Sequence, residues 1–482
     1  SILPQGTPSG LYLNGTRLVV ISTKSSSEVP GCIGCASPNE ESITEQVYDV
    51  SNPSTPLLVG TQSIGGTLVD SRMHGTKLNM VVRNAAVAPE LKSWIDFPEA
   101  NLPECPASGD SVPTREMIDA IEKTKEANRA RIAALSIEEM LPKADDVKRH
   151  DCTTAHRSRA SMGTEILTIV TSDLSDAAGA LTALSIVGEG GTLYASTGSL
   201  YVAGSKNLWM ADEKTLVHRF ALVSGFPRYS GTGEVEGVLV DNGFAGSRYS
   251  GRFSISQFAM SEREGFLRVA TTCSNGAAGG IGSDSRVTVL DITKEALDEV
   301  GVVAGMGAGE RIRSVRFIGT KAYVVTFRQM DPLYVVDLSE PRAPKISGEL
   351  KIPGFSTYLH PLDDSHLIGL GFEMEEDGPF VWTKGLKLSL FDVSDPEKPV
   401  EVGHRVIGNR GSYSPAVEEH HAFTMDAGGR IALPVDLYKG EGGTGPYGDL
   451  DYAGVMLVKA DLTGAFADLG AIRIYEDEPE DA

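Results

Sequence analysis

The chain has 482 residues, with 43 basic and 65 acidic side chains and a formal net charge of −22 at pH 7. This acidic balance argues against nucleic acid or an anionic membrane surface as a partner, and no run of residues is apolar enough to span a membrane. The 53 glycines and 25 prolines are typical of a β-rich protein with many turns. We interpret the start at Ser1, which carries no signal peptide, as that of a mature or trimmed product, so export stays possible.

The predicted elements begin with two strands in residues 11–22, which meet at an Asn14-Gly15 turn. A polar loop follows, and residues 49–53 then read Asp-Val-Ser-Asn-Pro. Asp and Ser side chains in such a turn bond to nearby backbone N–H groups, and Pro fixes φ. We therefore predict a first four-stranded unit that ends at about Gly66, and a second unit that begins at Val69.

Residues 85–160 interrupt the second unit. Apolar side chains recur there at helical spacing, at Met117, Ile118, Ile121, Ile132 and Leu135. Residues 136–139 form a capping box that predicts a second short helix. The strand pattern resumes at 165–171, so we predict a helical insertion within the second unit.

The cysteines are placed in pairs. Cys105 and Cys152 flank the insertion and predict a disulfide at its base, with two buried free thiols as the alternative. Cys32 and Cys35 lie in one loop, where a disulfide fits better than a zinc or redox motif, since neither a second ligand pair nor a βαβ context is present. Paired cysteines of this kind suit an oxidising compartment. Cys273 is left over and is predicted to be a small buried hydrophobic residue.

Residues 309–361 form the clearest unit, with four short β segments separated by tight turns. One such meander cannot cover both of its faces, so it must stack on copies of itself. The Asp-x-Ser-x-Pro turn, followed by a second proline and a glycine, recurs in phase with the strands, starting at Asp49, Asp337 and Asp392. Asp291-Ile292-Thr293 and Asp461-Leu462-Thr463 are degenerate copies, and successive copies lie 46 residues (291 to 337) and 55 residues (337 to 392) apart.

A repeat of this length predicts an all-β fold, a β-propeller of four-stranded antiparallel blades. Five units follow the insertion, at about 192–240, 253–305, 309–352, 356–407 and 416–474. We therefore predict seven blades, or alternatively eight, with the insertion in blade two. Residues 1–475 are predicted to form one domain, followed by a disordered acidic tail at 476–482.

Long segments of the chain resemble a known family. The matching segments are 266–272, 309–312, 314–317, 323–332, 350–361, 385–396, 411–414 and 420–423. They resemble the secreted bacterial and archaeal proteins that have a C-terminal β-propeller domain distantly related to WD-repeat proteins. The resemblance implies a propeller and export, to a secreted, periplasmic or cell-surface location. It implies no reaction and no catalytic residues.

Candidate functional residues lie on the predicted innermost strands, which line the axial channel of a propeller. Arg72, Arg316 and His360 fall at one equivalent position, and three further residues fall at similar positions in their blades: Gln257, His420 and His421. Together they predict a site for a small anion, or a His-based metal site. The structural alternative is that the arginines pair with inner-strand carboxylates such as Glu419 and that His360 caps the turn before Pro361.

Two metal chemistries remain possible: a His-bound transition metal, or Ca²⁺ at the acidic loops 373–377 and 449–451, which lack the full oxygen-ligand spacing. We expect an exported, non-catalytic propeller that binds a ligand or protein partner at the channel mouth, with the insertion adding contact area. The alternative is a hydrolase or metal-dependent enzyme that acts through His360 and His420.

Overall fold

The structure is a computed structural model of the chain. It describes residues 2, 4–24, 41–85, 91–92, 115–135, 154–158, 163, 165–175, 181–206, 213–239, 254–273, 283–327, 331–377, 380–440 and 449–474. Within these ranges the chain forms seven β-sheets, whose neighbouring strands follow one another in sequence in six cases. The chain divides into two compact units, Ser1–Glu189 with Val223–Pro227, and Gly190–Leu222 with Arg228–Ala482.

The first unit contains two sheets. Sheet 1 consists of β1 (Thr7–Asn14), β2 (Arg17–Lys24), β3 (Ser42–Asp49) and β4 (Leu57–Gly65). Sheet 2 consists of β5 (Thr67–His74), β6 (Lys77–Ala85), β7 (Ala155–Arg157), β8 (Glu165–Asp173) and β9 (Leu181–Val187). Sheet 2 has the order β5-β6-β8-β9-β7, and β7 pairs with β9 in parallel. The predicted four-stranded blade is therefore confirmed, with a fifth strand that the insertion adds at its outer edge.

The insertion contains the predicted helix, α1 (Arg115–Ala134). Ile118 and Ile132 remain 47% and 46% exposed, so the apolar positions that predicted the helix are not buried in a core. Asn128 fixes the helix to the chain before it, because its amide accepts from Lys92 N and donates to Lys92 O, both at 3.0 Å. Across the part of the chain that the structure describes, no helix has the length and apolarity to span a membrane.

The second unit contains sheets 3 to 7, apart from the hairpin Val223–Pro227 of sheet 3, which belongs to the first unit. Sheet 3 consists of β10 (Thr192–Ala195), β11 (Ser199–Lys206), β12 (Lys214–Val223) and β13 (Phe226–Glu236), and sheet 4 of β14 (Met260–Arg263), β15 (Phe266–Cys273), β16 (Asp284–Asp291) and β17 (Asp298–Met306). Sheet 5 consists of β18 (Arg311–Ile318), β19 (Lys321–Phe327), β20 (Asp331–Asp337) and β21 (Lys345–Ile352), and sheet 6 of β22 (Phe355–Pro361), β23 (His366–Asp377), β24 (Phe380–Asp392) and β25 (Val400–Ile407). Sheet 7 consists of β26 (Thr424–Met425), β27 (Arg430–Lys439), β28 (Asp449–Ala460) and β29 (Phe466–Arg473).

The inner strands of each sheet are apolar on both faces because both faces are covered. On β19, Val324 packs into a core cluster with Val289 of sheet 4. The preceding residue, Tyr323, points to the other face and packs with Phe391 of sheet 6. Successive side chains of a strand point to opposite faces, so the continuous apolar run of β19 reflects its position between two neighbouring sheets.

The Asp-x-Ser turns have the predicted chemistry. Asp337 accepts a hydrogen bond from the backbone N–H of Ser339 at 2.9 Å. The Ser339 side chain, together with this backbone contact, holds the pKa of Asp337 below its usual range. The other predicted copies make the equivalent bond, at Asp49, Asp291, Asp392 and Asp461. Asp173 bonds to Ser175 N at 3.1 Å in the same way. Sheet 2 therefore has a copy of the turn that the sequence analysis missed.

In sheets 4 and 5 the glycine that follows the turn motif lies against the turn of the next sheet. A Cβ added at Gly348 would lie 2.3 Å from Pro396 O, which belongs to the turn of sheet 6. Gly301 meets Pro341 O at 2.3 Å in the same manner. Since real Cβ atoms do not approach a carbonyl oxygen this closely, these glycines allow the outer strand of one sheet to contact the turn of the next.

Candidate functional site

Four consecutive sheets of the second unit contribute side chains to one cluster. Arg316 lies on β18, and His360 lies on β22, each on the first strand of its sheet. Gln257 lies on a 3₁₀ helix, Ser254–Ala259, which leads into β14. His420 and His421 lie on another, His420–Ala422, which precedes β26. The predicted residues thus occur at the start of sheets 4, 5, 6 and 7, where each chain segment enters its sheet.

Three aromatic side chains connect these residues. The ring of Tyr358 lies 5.8 Å from the ring of Phe258 and 5.3 Å from that of Phe423. Phe423 also contacts His360, with ring centroids 5.0 Å apart, and Phe258 meets His420 edge-on at 5.2 Å. The sequence analysis did not identify this aromatic frame, although Tyr358 lies two residues before His360 and therefore on the same face of β22.

Arg316 is the cation of the cluster. Its guanidinium lies over the Phe258 ring, 4.5 Å from the centroid. Its Nη1 atom is buried and has no hydrogen-bond partner among the described residues. Burial lowers the pKa of Arg316, and the Tyr358 phenol acts in the opposite direction. The group stays protonated at neutral pH because the ordinary pKa of arginine is above 12, so a buried positive charge is left with one donor unused.

His360 is neutral at neutral pH. Burial, together with the positive charge of Arg316, lowers its pKa to about 4. Its Nδ1 atom lies 2.9 Å from the Tyr358 hydroxyl. Burial also raises the pKa of Tyr358, with Arg316 opposing this effect. Phe258 and His360, two neighbours of Arg316, are thus uncharged at neutral pH, and His360 bonds to Tyr358.

Glu419, His420 and His421 form a separate group beside this frame. Glu419 Oε1 lies 2.6 Å from His421 Nδ1 and 3.4 Å from His420 Nδ1. The Gln257 amide nitrogen lies 3.2 Å from His420 Nδ1. The carboxylate that the structural alternative paired with Arg316 is thus engaged with the two histidines. Each of these three residues offers one ligand atom within 4.8 Å of the others.

Arg72 belongs to the first unit and is already paired there. Its Nη1 atom lies 2.8 Å from Asp70 Oδ1 and donates to Ser71 O at 2.6 Å. In the strand register, Arg72 lies opposite Asn79 of β6, and Arg316 lies opposite Tyr323 of β19. The two arginines therefore occupy the same position in their strands. On its own strand Arg316 has Ser314 at the position of Asp70, so the carboxylate beside Arg72 has no counterpart there.

Other candidates have local partners or fall outside the described residues. In the acidic loops, Glu373 pairs with Lys387 at 3.1 Å and Asp451 with Lys439 at 2.6 Å. Cys273 is a free thiol, and burial raises its pKa to about 11. The four cysteines predicted to form disulfides, the capping box and the acidic tail lie outside the described residues, at Cys32, Cys35, Cys105, Cys152, 136–139 and 476–482.

The stacked four-stranded sheets and the residue cluster at their first strands define a protein of the β-propeller class. The sequence profile of the family described as beta propeller domain matches residues 2–482, and the chain belongs to that family.

The chain is similar to two archaeal relatives and to solved structures, whose descriptions assign it no activity. An uncharacterized protein of Methanocaldococcus jannaschii is 43% identical over 172 residues, and one of Archaeoglobus fulgidus is 42% identical over 173; each match covers 36% of this chain and 25% of the relative. The matched part is thus about a quarter of each relative. The β-propeller domain of the trilobed protease from Pyrococcus furiosus, described as having an open velcro topology, is 11% identical with a TM-score of 0.37, covering 96% of this chain and 97% of that one. Sqt1 of Saccharomyces cerevisiae is 8% identical with a TM-score of 0.36, covering 67% and 74%. Likeness at this level says nothing about function.

Proposed function

We propose that this propeller binds a small organic anion at Arg316, without catalysing a reaction. The observation that supports the proposal is the buried Nη1 atom of Arg316, which has no hydrogen-bond partner among the described residues. Leaving a buried donor without a partner costs free energy, and more so when the group is charged. An anionic ligand would supply the missing acceptor and the opposite charge.

The surroundings of Arg316 favour a carboxylate with an apolar body. Phe258, Tyr358 and Phe423 supply apolar walls, and a guanidinium pairs well with a planar carboxylate. The neutral His360 adds no competing charge. Its pKa of about 4 also makes it a weak general base at neutral pH, because proton transfer is most efficient when the catalytic pKa lies near the operating pH. This favours binding over acid–base catalysis.

The second candidate function is a metal-dependent enzyme that acts through His360 and His420. The observation in its favour is the convergence of Glu419, His420 and His421, since two imidazoles and a carboxylate are a metal-ligating set. Turnover of ester or peptide substrates that disappears in His420→Ala would support this function. Its absence would leave the binding function.

The anion site can be tested by titration calorimetry with acetate, benzoate and citrate. Arg316→Gln should bind about tenfold more weakly or worse, because a hydrogen bond to a charged group contributes about 1.5–3 kcal/mol. Arg72→Gln is the matched control, since Arg72 is already paired with Asp70. Equal affinities in wild type and Arg316→Gln would refute the proposal, and an unfolded Arg316→Gln would indicate a purely structural arginine.

Export, and contact with a protein partner through residues 85–160, belong to the same proposal. Helix α1 supports the contact with a protein partner, because its Ile118 and Ile132 side chains are both half-exposed. The helix belongs to the first unit. Ile118→Asp should leave folding intact and weaken partner capture from the source organism. Fractionation of cells with an antibody tests export, and a product confined to the cytoplasm would contradict it.

A further inference from the structure

We propose that Glu419, His420 and His421 form a binding site for a divalent transition metal ion of the zinc type. The three residues are consecutive, with Glu419 as the N-cap of the 3₁₀ turn His420–Ala422. One ligand atom from each lies within 4.8 Å of the others. This site goes beyond the anion site at Arg316 and does not depend on it.

The donor set selects the class of metal. Two imidazole nitrogens and one carboxylate oxygen suit Zn²⁺, Co²⁺, Ni²⁺ or Cu²⁺. Ca²⁺ takes six to eight oxygen ligands, and Mg²⁺ keeps most of its waters. Three protein ligands leave at least one position of a tetrahedral ion for water or a small anion. The site would therefore hold an exchangeable ion with an open coordination position.

The geometry is close to what such an ion requires. Two ligands at 2.0–2.1 Å from a tetrahedral zinc lie about 3.3 Å apart. Glu419 Oε1 and His420 Nδ1 are already 3.4 Å apart. Glu419 Oε1 and His421 Nδ1 are 2.6 Å apart, so His421 must move outward by about 0.7 Å. The His421 side chain is 72% exposed, and its ring centroid lies 3.8 Å from that of His420, so the shift is a small adjustment of a solvent-facing ring.

The other two ligands are held in place. The Glu419 carboxylate accepts a hydrogen bond from the backbone N–H of His421 at 3.0 Å, which fixes the carboxylate on the turn. His420 is only 20% exposed and lies between the Gln257 amide and the edge of the Phe258 ring. A contact that fixes a ligand side chain raises metal affinity, and the contact at Glu419 is of this kind. An ion at His420 Nδ1 would displace the Gln257 amide from that atom. The exposed third ligand, His421, leaves the site open to an ion from solvent.

The test uses the full chain without an affinity tag, dialysed against a chelator and then titrated with ZnCl₂, CoCl₂, CaCl₂ and MgCl₂. We expect one Zn²⁺ per chain, visible absorption bands of low-symmetry Co²⁺, and much weaker binding of Ca²⁺ and Mg²⁺. His421→Ala should weaken Zn²⁺ binding about tenfold or more. The His421 side chain is 72% exposed, so its removal should leave the buried core intact, and the variant is informative even if His420→Ala fails to fold.

His366→Ala is the matched control, because His366 Nδ1 also lies 2.9 Å from a carboxylate oxygen, that of Asp363. It should bind Zn²⁺ like the wild type. The proposal is overturned if the wild type binds no Zn²⁺, if His421→Ala binds it unchanged, or if His366→Ala loses as much affinity. Equal affinity for Ca²⁺ and Zn²⁺ would also overturn it.

Discussion

Replacing Gly348 by alanine tests how neighbouring sheets are joined. The added Cβ would lie 2.3 Å from Pro396 O and 3.0 Å from the Glu397 carbonyl carbon. An ordinary contact of this kind is at least 3.4 Å, so sheets 5 and 6 would have to separate locally by about 1 Å. Pro396 O is a backbone atom in a turn and cannot rotate away. Overpacking of this sort costs about 1–3 kcal/mol.

Gly60→Ala is the matched control. Gly60 occupies the same motif position in sheet 1, and a Cβ there would meet nothing within 4 Å. Alanine at such an open site stabilises by about 0.4–1 kcal/mol, since it restricts the unfolded chain. Gly301→Ala should repeat the loss seen at Gly348, because its Cβ would lie 2.3 Å from Pro341 O.

Urea unfolding followed by far-ultraviolet circular dichroism gives the free energy of unfolding for each variant. The Gly348→Ala and Gly60→Ala values should differ by at least about 1.4 kcal/mol. If Gly348→Ala is as stable as the wild type, or if Gly60→Ala loses as much, the glycines do not serve as contact points for the next sheet.

Three further predictions concern buried ionisable side chains. Lys387 is 3% exposed and lies 3.1 Å from Glu373 and 3.3 Å from Glu401. Lys387→Met should therefore cost about 3–5 kcal/mol in urea unfolding, and adding glutamine at both acidic positions should restore most of it. Glu45 is fully buried, and burial raises its pKa. The nearby Ser172 hydroxyl acts to lower this pKa, but it forms no well-aligned hydrogen bond with the carboxyl group. Wild-type stability should fall as the pH rises from about 4.3 through that raised pKa, and Glu45→Gln should abolish this fall and be the more stable protein at pH 7; an unchanged slope would contradict the prediction. Burial lowers the pKa of His218 to about 4. Its contribution to stability should therefore be complete above about pH 6.5 and be lost as the pH falls to 4, by about 3 kcal/mol in all. The acid slope should be smaller in His218→Gln, and identical slopes would refute the assignment.

The sheets could be predicted from the sequence because their signals are local. The bond from Asp337 to Ser339 spans two residues, and the strands around it have a period of two. The same turn at Asp173 was missed because the long insertion disturbed the spacing that revealed the others. Strand β7 could not be predicted, since three residues carry too little pattern to distinguish a strand from a loop.

The candidate site was predictable only in part. Counting along the first strands placed Arg72, Arg316 and His360 at one position, which the pairing registers of their sheets reproduce. The sequence also indicates that Arg72 and Arg316 have different surroundings, because Asp70 lies two residues before Arg72 and Ser314 lies two residues before Arg316. The aromatic frame of Phe258, Tyr358 and Phe423 could not be predicted from the sequence, because the three residues come from separate sheets and have no common spacing. Whether these residues bind a ligand stays a prediction.

Phe258 connects the two proposed binding sites. One face of its ring lies under the guanidinium of Arg316, and the ring also meets the imidazole of His420. A ligand that restrains either neighbour restrains the same phenyl group, so occupancy at one site should be felt at the other. Thermodynamic linkage then requires reciprocity: whatever factor Zn²⁺ applies to the affinity for benzoate, benzoate must apply to the affinity for Zn²⁺.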